Sequence, residues 1–439
     1  MRLLIISHTP HFWREGQLVG WGATIREIDE LATLFHSVTH IAPVYPQAAP
    51  DSAMAYRTPN VRVRAVPPSG GPRLRDKCGI ALRCPGYLRA ILQERRQADV
   101  IHVRAPANIS LLALLLLAIL RQPQLRWAKY AGDWSGGQIS QHPSRIEPLN
   151  RCGPPGGSAD WQSAVSPTGS RQACQCSTGC QFAHSVLGIY GKTEPWSYRF
   201  QRWWLARGLH RGLVTVNGRW PAQPAHVYSF ANPCLTTSEL REGEEASRQK
   251  HLCQPVRLLF VGRLEAAKGA GICLEILAQL KRAGVAAHLD LIGDGVERWR
   301  LEQQAQDLHV AVRANFHGSL PRPALGAFYS QAHFILLPST CSEGWPKVLS
   351  EAMVYGVVPI AHGISSIPQV LRDYSTGQAI PSLEPRRFTD ALESYLENPL
   401  HWQQHSRNAV KAAPAFSYDH YLQAVRQLLK LPVPTPTNC

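Results

Sequence analysis

Long apolar runs are missing from this 439-residue chain. The longest covers residues 109–120, with one serine inside it. That is too short to cross a bilayer and suits a buried helix. Paired cysteines are missing too. The 11 cysteines are an odd number, and none forms a C-x2-C pair. Cys174, Cys176 and Cys180, with Cys152 or His184 near them, therefore do not read as zinc ligands. The cysteines read as free thiols in a reducing compartment, which points to the cytoplasm. No Asp-x-Asp metal motif occurs. The first seven residues hold four consecutive apolar side chains and read as a strand rather than a signal peptide. Carboxylates are scarce: 31 Asp+Glu face 46 Lys+Arg, a net charge of +15. An excess of that size implies an anionic partner, such as a nucleoside diphosphate or an acidic membrane surface. It is mainly arginine scattered along the chain, which argues against a nucleic-acid groove.

What is present is ordinary for a globular chain of two domains, with 44% apolar residues. Apolar runs at residues 3–6, 38–42, 61–66, 99–104 and 127–130 read as strands of a first domain. A glycine-bearing loop with Gly16, Gly20 and Gly22 follows the first of them, and a helix begins near Thr24. Residues 150–184 are rich in Gly, Pro, Ser, Gln and Cys without apolar period, and read as a loop or disordered insertion. Helical spacing returns at residues 198–205, with a strand at 212–216. Residues 236–255 are polar and charged and read as a linker. Strand and helix alternate again from Val256, through strands at 256–261, 288–292 and 334–337. Alternation on both sides of a linker argues for two parallel-sheet domains.

The stretch from Glu343 to Met353 carries the most chemistry. It follows the apolar run Phe334–Leu337 and places Pro346 at a helix start. Glu343 then lies on the strand-to-helix loop, and Glu351 lies on the helix one turn after Lys347. A helix start offers free N–H groups to an anion, and Gly344 lets a ligand approach the backbone. A carboxylate there accepts hydrogen bonds from hydroxyls. On spacing alone, a surface loop followed by a Lys347–Glu351 pair explains the stretch equally well.

The stretch from Glu343 through Glu351-Ala352-Met353 to Pro359 resembles the E-x7-E signature of retaining glycosyltransferases of family 4. Residues 256–269, with Gly262-Arg263-Leu264 and Lys268-Gly269, resemble the same family's donor-domain opening. So do Gly293-Asp294-Gly295 and the segment from Phe316 to Leu320. The resemblance covers residues 256–392 and is only architectural over residues 1–150. It implies an α/β chain of the GT-B fold, two Rossmann-like domains with parallel sheets facing across a cleft. The implied division is an acceptor domain at 1–232 and a linker at 233–255. A donor domain at 256–415, a returning helix at 416–431 and a loose tail at 432–439 follow.

The resemblance also implies roles. Glu343 faces the donor sugar, and Glu351 holds the ribose. Arg263 and Lys268 clamp the diphosphate, with Gly344, Lys347 and Val348 at the helix start. Gly318 and Leu320 meet the base. Gly20 and Gly22 lie in the loop that approaches acceptor and phosphate, and a reading of both as simple turn residues fits equally well. The family often carries a histidine where this chain has Arg104, and another where it has Asp133. Asp133 is therefore the second candidate catalytic residue. The implied reaction moves a sugar from a nucleotide-sugar donor to a hydroxyl of a glycan, lipid-linked or small-molecule acceptor, with retention. No metal or other cofactor is implied. The net charge admits peripheral contact with an anionic membrane, and no nucleic acid is expected. A non-catalytic nucleotide-sugar-binding homologue and an epimerase on the same fold share these features.

Overall fold

Two parallel sheets and a small antiparallel one organise the chain. The computed structural model describes residues 1–69, 74–120, 124–134, 195–341 and 344–432. In the first part the strands are β1 (Arg2–Ile6), β2 (His11–Arg14), β3 (Gln17–Trp21), β4 (Ser37–Pro43) and β5 (Ala53–Ala55). They continue as β6 (Val61–Val66), β7 (Val100–Ala105), β8 (Leu125–Tyr130), β9 (Leu213–Asn217) and β10 (Val227–Phe230). The second part holds β11 (Val256–Val261), β12 (Ala287–Ile292), β13 (Ala314–Gly318), β14 (Phe334–Leu337), β15 (Val358–His362) and β16 (Gln378–Ile380).

The seven-stranded sheet runs β10-β9-β8-β7-β1-β4-β6, and the six-stranded sheet runs β13-β12-β11-β14-β15-β16. Every pairing in both is parallel. Parallel strands are covered on both faces, so their sequences run apolar without alternation. Leu3 to Ile6 are all buried, as are Phe334 to Leu337. Strand order reverses between β1 and β7 in one sheet and between β11 and β14 in the other. At such switch points the connections leave in opposite directions and open a crevice beyond the strand ends, where ligands bind in this architecture.

Helices cover the sheets in the order α1 (Gly22–Ala32), α2 (Leu74–Glu94), α3 (Asn108–Ile119), α4 (Trp196–Ala206) and α5 (Thr237–Ser247). Then come α6 (Ala270–Arg282), α7 (Arg298–Asp307), α8 (Leu325–Gln331), α9 (Lys347–Met353) and α10 (Ile367–Tyr374). The series ends with α11 (Pro385–Glu397), α12 (Pro399–Ala412) and α13 (Tyr418–Leu429). Ile25, Ile28 and Leu31 of α1 are spaced for one helix face and fully buried. The last helix returns to the first sheet: Tyr421, Val425 and Leu429 share a core with Leu3, Ile5 and Ile28. Both sheets belong to one compact unit.

Three expectations are corrected. The segment read as an open loop is a β2–β3 hairpin that holds Gly20 and is closed by β5 into an antiparallel sheet, with Gly22 at the start of α1. Gly20 lies within β3, where an added Cβ would meet Ile25 and His11 within 2.8 Å. Gly22 starts α1 with an added Cβ 2.5 Å from the Ser52 carbonyl. Close packing accounts for both glycines. The charged stretch read as a linker folds into α5. Its Thr236 hydroxyl accepts from the Glu239 N–H at 3.2 Å, and the Glu239 carboxylate accepts from the Thr236 N–H at 2.8 Å. That reciprocal cap overrides polar composition. Pro346 caps α9 rather than filling its first turn. The insertion at 150–184, Glu343 and residues 433–439 lie outside the described residues.

Candidate active site

The second sheet builds one side of the site from its carboxyl edge. The loop after β11 carries Arg263 and the turn Ala266–Lys268, and the loop after β14 carries Ser339 to Cys341. The two loops are tied together at the Ala267 carbonyl. It accepts from the Thr340 N–H at 2.9 Å and the Ser339 hydroxyl at 3.2 Å. Lys268 is buried. The Arg263 side chain is 70% exposed and reaches the Glu265 carboxylate at 2.6 Å. Next to them, Gly293 has φ 134°, and an added Cβ would lie 1.9 Å from the Gly262 carbonyl. Only glycine fits there. The Gly293 N–H donates to the Gly318 carbonyl at 2.8 Å. This draws the ends of β11, β12 and β13 together, and Leu320 packs under them half-buried.

Glu351 on α9 is held on both oxygens. The Arg322 guanidinium pairs with one, and the Tyr329 hydroxyl donates to the other at 3.2 Å. Arg322 also donates to Glu239 at 2.8 Å and to the Cys234 carbonyl at 2.8 Å. Glu239 accepts in turn from Arg26 of α1, at 3.0 and 2.9 Å to its two oxygens. Burial works to raise the Glu239 pKa, but Arg322 and Arg26 outweigh it and hold it at about 2. A continuous ionic chain therefore joins α1, α5 and α9.

The first sheet supplies the opposite wall. Gly344 has φ 68°, and an added Cβ would lie 2.4 Å from the Asn217 amide nitrogen and 2.9 Å from the Ala131 carbonyl. The residue after Glu343 thus rests on the ends of β8 and β9. The Gly344 carbonyl accepts from the Ser366 hydroxyl at 3.0 Å. The Trp345 carbonyl accepts from the Asn232 amide at 3.1 Å. Asp133, two residues beyond Ala131, is buried, and its carbonyl accepts from Arg202 at 3.0 Å.

Lys347 projects away from the expected diphosphate position. Its ammonium donates to the Ala23 carbonyl at 3.0 Å and to Glu27 at 3.3 Å. Glu27 is fully buried and also accepts from Arg104 at 2.7 Å and Lys129 at 2.6 Å. Burial works to raise the Glu27 pKa, yet the three cations hold it well below the usual carboxylate range. Burial above all, with Arg104 and Lys347 beside it, lowers Lys129 to about 7. His102, on the strand that carries Arg104, stacks on Trp127 with ring centroids 3.8 Å apart. The structure therefore brings Gly344 against the strand end that leads to Asp133, and places Arg263, Lys268, Gly318 and Leu320 along one edge. It moves the Lys347 side chain into a separate buried cluster.

Sequence reasoning missed Glu27, Lys129, Arg322 and Glu239. The available signal was a carboxylate at position 27 in a helix whose Ile25, Ile28 and Leu31 read as buried, and a lysine at 129 inside a buried strand. Charges at such places need partners. Among the described residues no group of three or more His, Cys, Asp or Glu could hold a metal ion. No described helix is long and apolar enough to cross a membrane.

Two parallel sheets with switch-point edges turned to one shared junction define the GT-B class. Comparison with solved structures agrees. Sucrose-phosphate synthase from Thermosynechococcus elongatus has a TM-score of 0.64 at 15% identity, covering 98% of each chain. Anabaena HepE in complex with UDP has a TM-score of 0.61 at 14% identity, covering 98% of this chain and 100% of that one. Likeness at these identities shows the fold. Residues 241–415 match the Glycosyl transferases group 1 family. The second sheet and its helices are thus a Glycosyl transferases group 1 domain. Alpha-D-kanosaminyltransferase of Streptomyces kanamyceticus is 25% identical over 210 residues, which cover 46% of this chain and 52% of that protein. The chain spans about half the length of the curated relatives it matches.

Proposed function

We propose that the protein is a retaining glycosyltransferase. It moves a sugar from a nucleotide-sugar donor to a hydroxyl of a glycan, lipid-linked or small-molecule acceptor. The observation that supports this most is the packing of Gly344 on Asn217 and Ala131. That contact joins the E-x7-E segment of a Glycosyl transferases group 1 domain to the first-sheet edge that leads to Asp133. Anabaena HepE, similar in fold, holds UDP, which supports a nucleoside diphosphate as the donor's carrier.

In this reading Arg263 and Lys268 take up the charge that develops on the leaving diphosphate, with backbone N–H groups of Gly344, Lys347 and Val348. Positioned cations stabilise such charge without reorganising during the reaction. No metal is required of the donor. Glu351, already oriented by Arg322 and Tyr329, accepts from the ribose hydroxyls. Gly318 and Leu320 border the base. Glu343 faces the transferred sugar and stabilises the positive charge that builds at its anomeric carbon. Asp133 lies on the acceptor side and orients the incoming hydroxyl.

The test is a panel of UDP-, GDP- and ADP-sugars, screened by thermal shift and then incubated with sugar, lipid-linked and small-molecule alcohols. Transfer with a retained anomeric configuration, read by NMR, is expected. Epimerised donor without acceptor, or binding without turnover, counts against the reading.

A further inference from the structure

Helix α12 carries two histidines one turn apart, His401 and His405. Its Asn398 cap accepts from the His401 N–H at 3.2 Å and fixes that residue in the first turn. Trp402, Ser406 and Ala409 form the buried stripe of the helix. The histidines run along its border, half-buried and within reach of solvent. Their rings turn toward each other, and the two Nε2 atoms lie 3.1 Å apart. The ring centroids stand 4.3 Å apart, more than the nitrogens but less than two rings set head-on would leave. The lone-pair directions therefore converge beside the N–N line. Tyr395 of α11 is fully buried, and its hydroxyl lies 2.7 Å from His405 Nδ1.

We propose that His401 and His405 chelate a divalent transition ion of the zinc, nickel and copper class. Histidines at i, i+4 on one helix face are a recurring ligand pair for such ions. Imidazole nitrogens bind them at about 2.0–2.1 Å, which sets two nitrogens on one ion roughly 2.9–3.4 Å apart at square to tetrahedral angles. The spacing of His401 and His405 falls in that range. A histidine that holds a metal donates its other ring N–H to an oxygen, and the Tyr395 hydroxyl stands where His405 needs one. In that tautomer the His401 Nε2–H donates to His405 Nε2 while no ion is bound. With the ion, His401 carries its proton on Nδ1, and both Nε2 atoms give their lone pairs to the metal. Water fills the remaining positions. The pair exists only when α12 is formed, so the ion stabilises the folded second sheet and its helices. Tyr395 packs on Phe334, the first residue of β14, with ring centroids 5.5 Å apart. The site therefore lies toward the amino edge of the second sheet, away from Arg263 and Lys268 at the carboxyl edge. An ion there braces α12 against α11 and is independent of sugar transfer, so it is measured without donor or acceptor.

The full chain, free of any affinity tag, is titrated with Ni²⁺, Co²⁺, Zn²⁺ and Mg²⁺ by calorimetry and by thermal shift. Ni²⁺ should bind more tightly than Co²⁺, and Mg²⁺ should not bind, as a pair of imidazoles requires. His401→Gln and His405→Gln should each remove one equivalent of bound Ni²⁺ and the rise in melting temperature that it brings. Tyr395→Phe should keep that equivalent and weaken it by about 10–100-fold. In the wild-type chain, Ni²⁺ should protect His401 and His405 from acylation by diethyl pyrocarbonate, read peptide by peptide by mass spectrometry. That reading does not depend on how a variant folds. Unprotected His401 and His405 at saturating Ni²⁺ overturn the inference. So does equal Ni²⁺ uptake by the wild type and both histidine variants, which would assign the ion to cysteines or histidines elsewhere in the chain. Unchanged affinity in Tyr395→Phe counts against the tautomer on which the site rests.

Discussion

The Lys347 ammonium lies 3.3 Å from Glu27 and joins the second-sheet helix α9 to the first-sheet helix α1. Arg104 and Lys129 share the same carboxylate, so one buried anion holds three cations. Glu27→Gln keeps the shape but strands those cations in a dry site. Breaking a buried network in this way costs about 3–5 kcal/mol. Urea unfolding of the variant should show a loss of that order, and a loss of a few tenths would mean that water screens the cluster. The folded carboxylate titrates below its unfolded range. Its contribution is therefore present above the unfolded pKa and fades as pH falls through the folded one.

Lys250 gives a dependence in the alkaline range. Burial lowers its pKa to about 7, and its ammonium donates to the carbonyls of Tyr329 and Ala332 at 2.7 and 2.9 Å. Between about pH 7 and about 10.4, the unfolded lysine binds a proton that the folded one has shed. The unfolded state then binds more protons, so stability rises with pH across that window. Lys250→Met should flatten the rise, and Lys129, also lowered to about 7, should leave a residual slope. Urea unfolding of both proteins at several pH values inside the window measures it. Equal slopes would show that Lys250 stays charged when folded.

How much of this was legible follows from where each residue's partners lie. The strands around Leu3 and Phe334 were readable because burial on both faces leaves an uninterrupted apolar run. The Arg263 and Lys268 edge was readable because its residues sit close together in sequence. Glu27 and Lys129 stand 102 positions apart, and Arg322 and Glu239 stand 83 apart. No local pattern announces such pairs. The charged run at 236–247 misled because its polarity suits solvent, while Glu239 in it spends its charge on Arg26 and Arg322. The segment at 11–22 misled because Gly20 and Gly22 serve close packing against His11, Ile25 and Ser52.

Arg263 and Lys268 separate binding from stability. The Arg263 side chain is exposed and pairs only with Glu265 among the described carboxylates, so Arg263→Ala should leave the melting temperature nearly unchanged. It should weaken nucleoside-diphosphate binding by about 1.5–3 kcal/mol, the loss of a charge-assisted contact. Lys268 is buried, so Lys268→Ala should weaken binding similarly and also lower stability. Calorimetry with UDP, GDP and ADP checks both. Unchanged affinity in both variants removes the diphosphate from this loop.

The two carboxylates of the E-x7-E segment should fail in different ways. Glu351 is held by Arg322 and Tyr329 before any donor arrives. In the proposed function its contact with a ribose is the same in ground state and transition state, so Glu351→Gln should raise donor KM more than it lowers kcat. Because it also weakens the tie to Arg322, it should cost about 1–3 kcal/mol of stability. Glu343 faces the transferred sugar in the proposed function. Its interaction strengthens only as charge develops at the anomeric carbon, so Glu343→Gln should lower kcat more than it raises KM. Arg322→Ala discriminates further. If Arg322 orients Glu351, that variant should copy the KM effect of Glu351→Gln, and the double variant should add little. Steady-state kinetics on the four proteins, with whichever donor binds, reads all of this. Near-native kcat in Glu343→Gln would take that residue out of the chemistry and leave the diphosphate edge as the main source of rate.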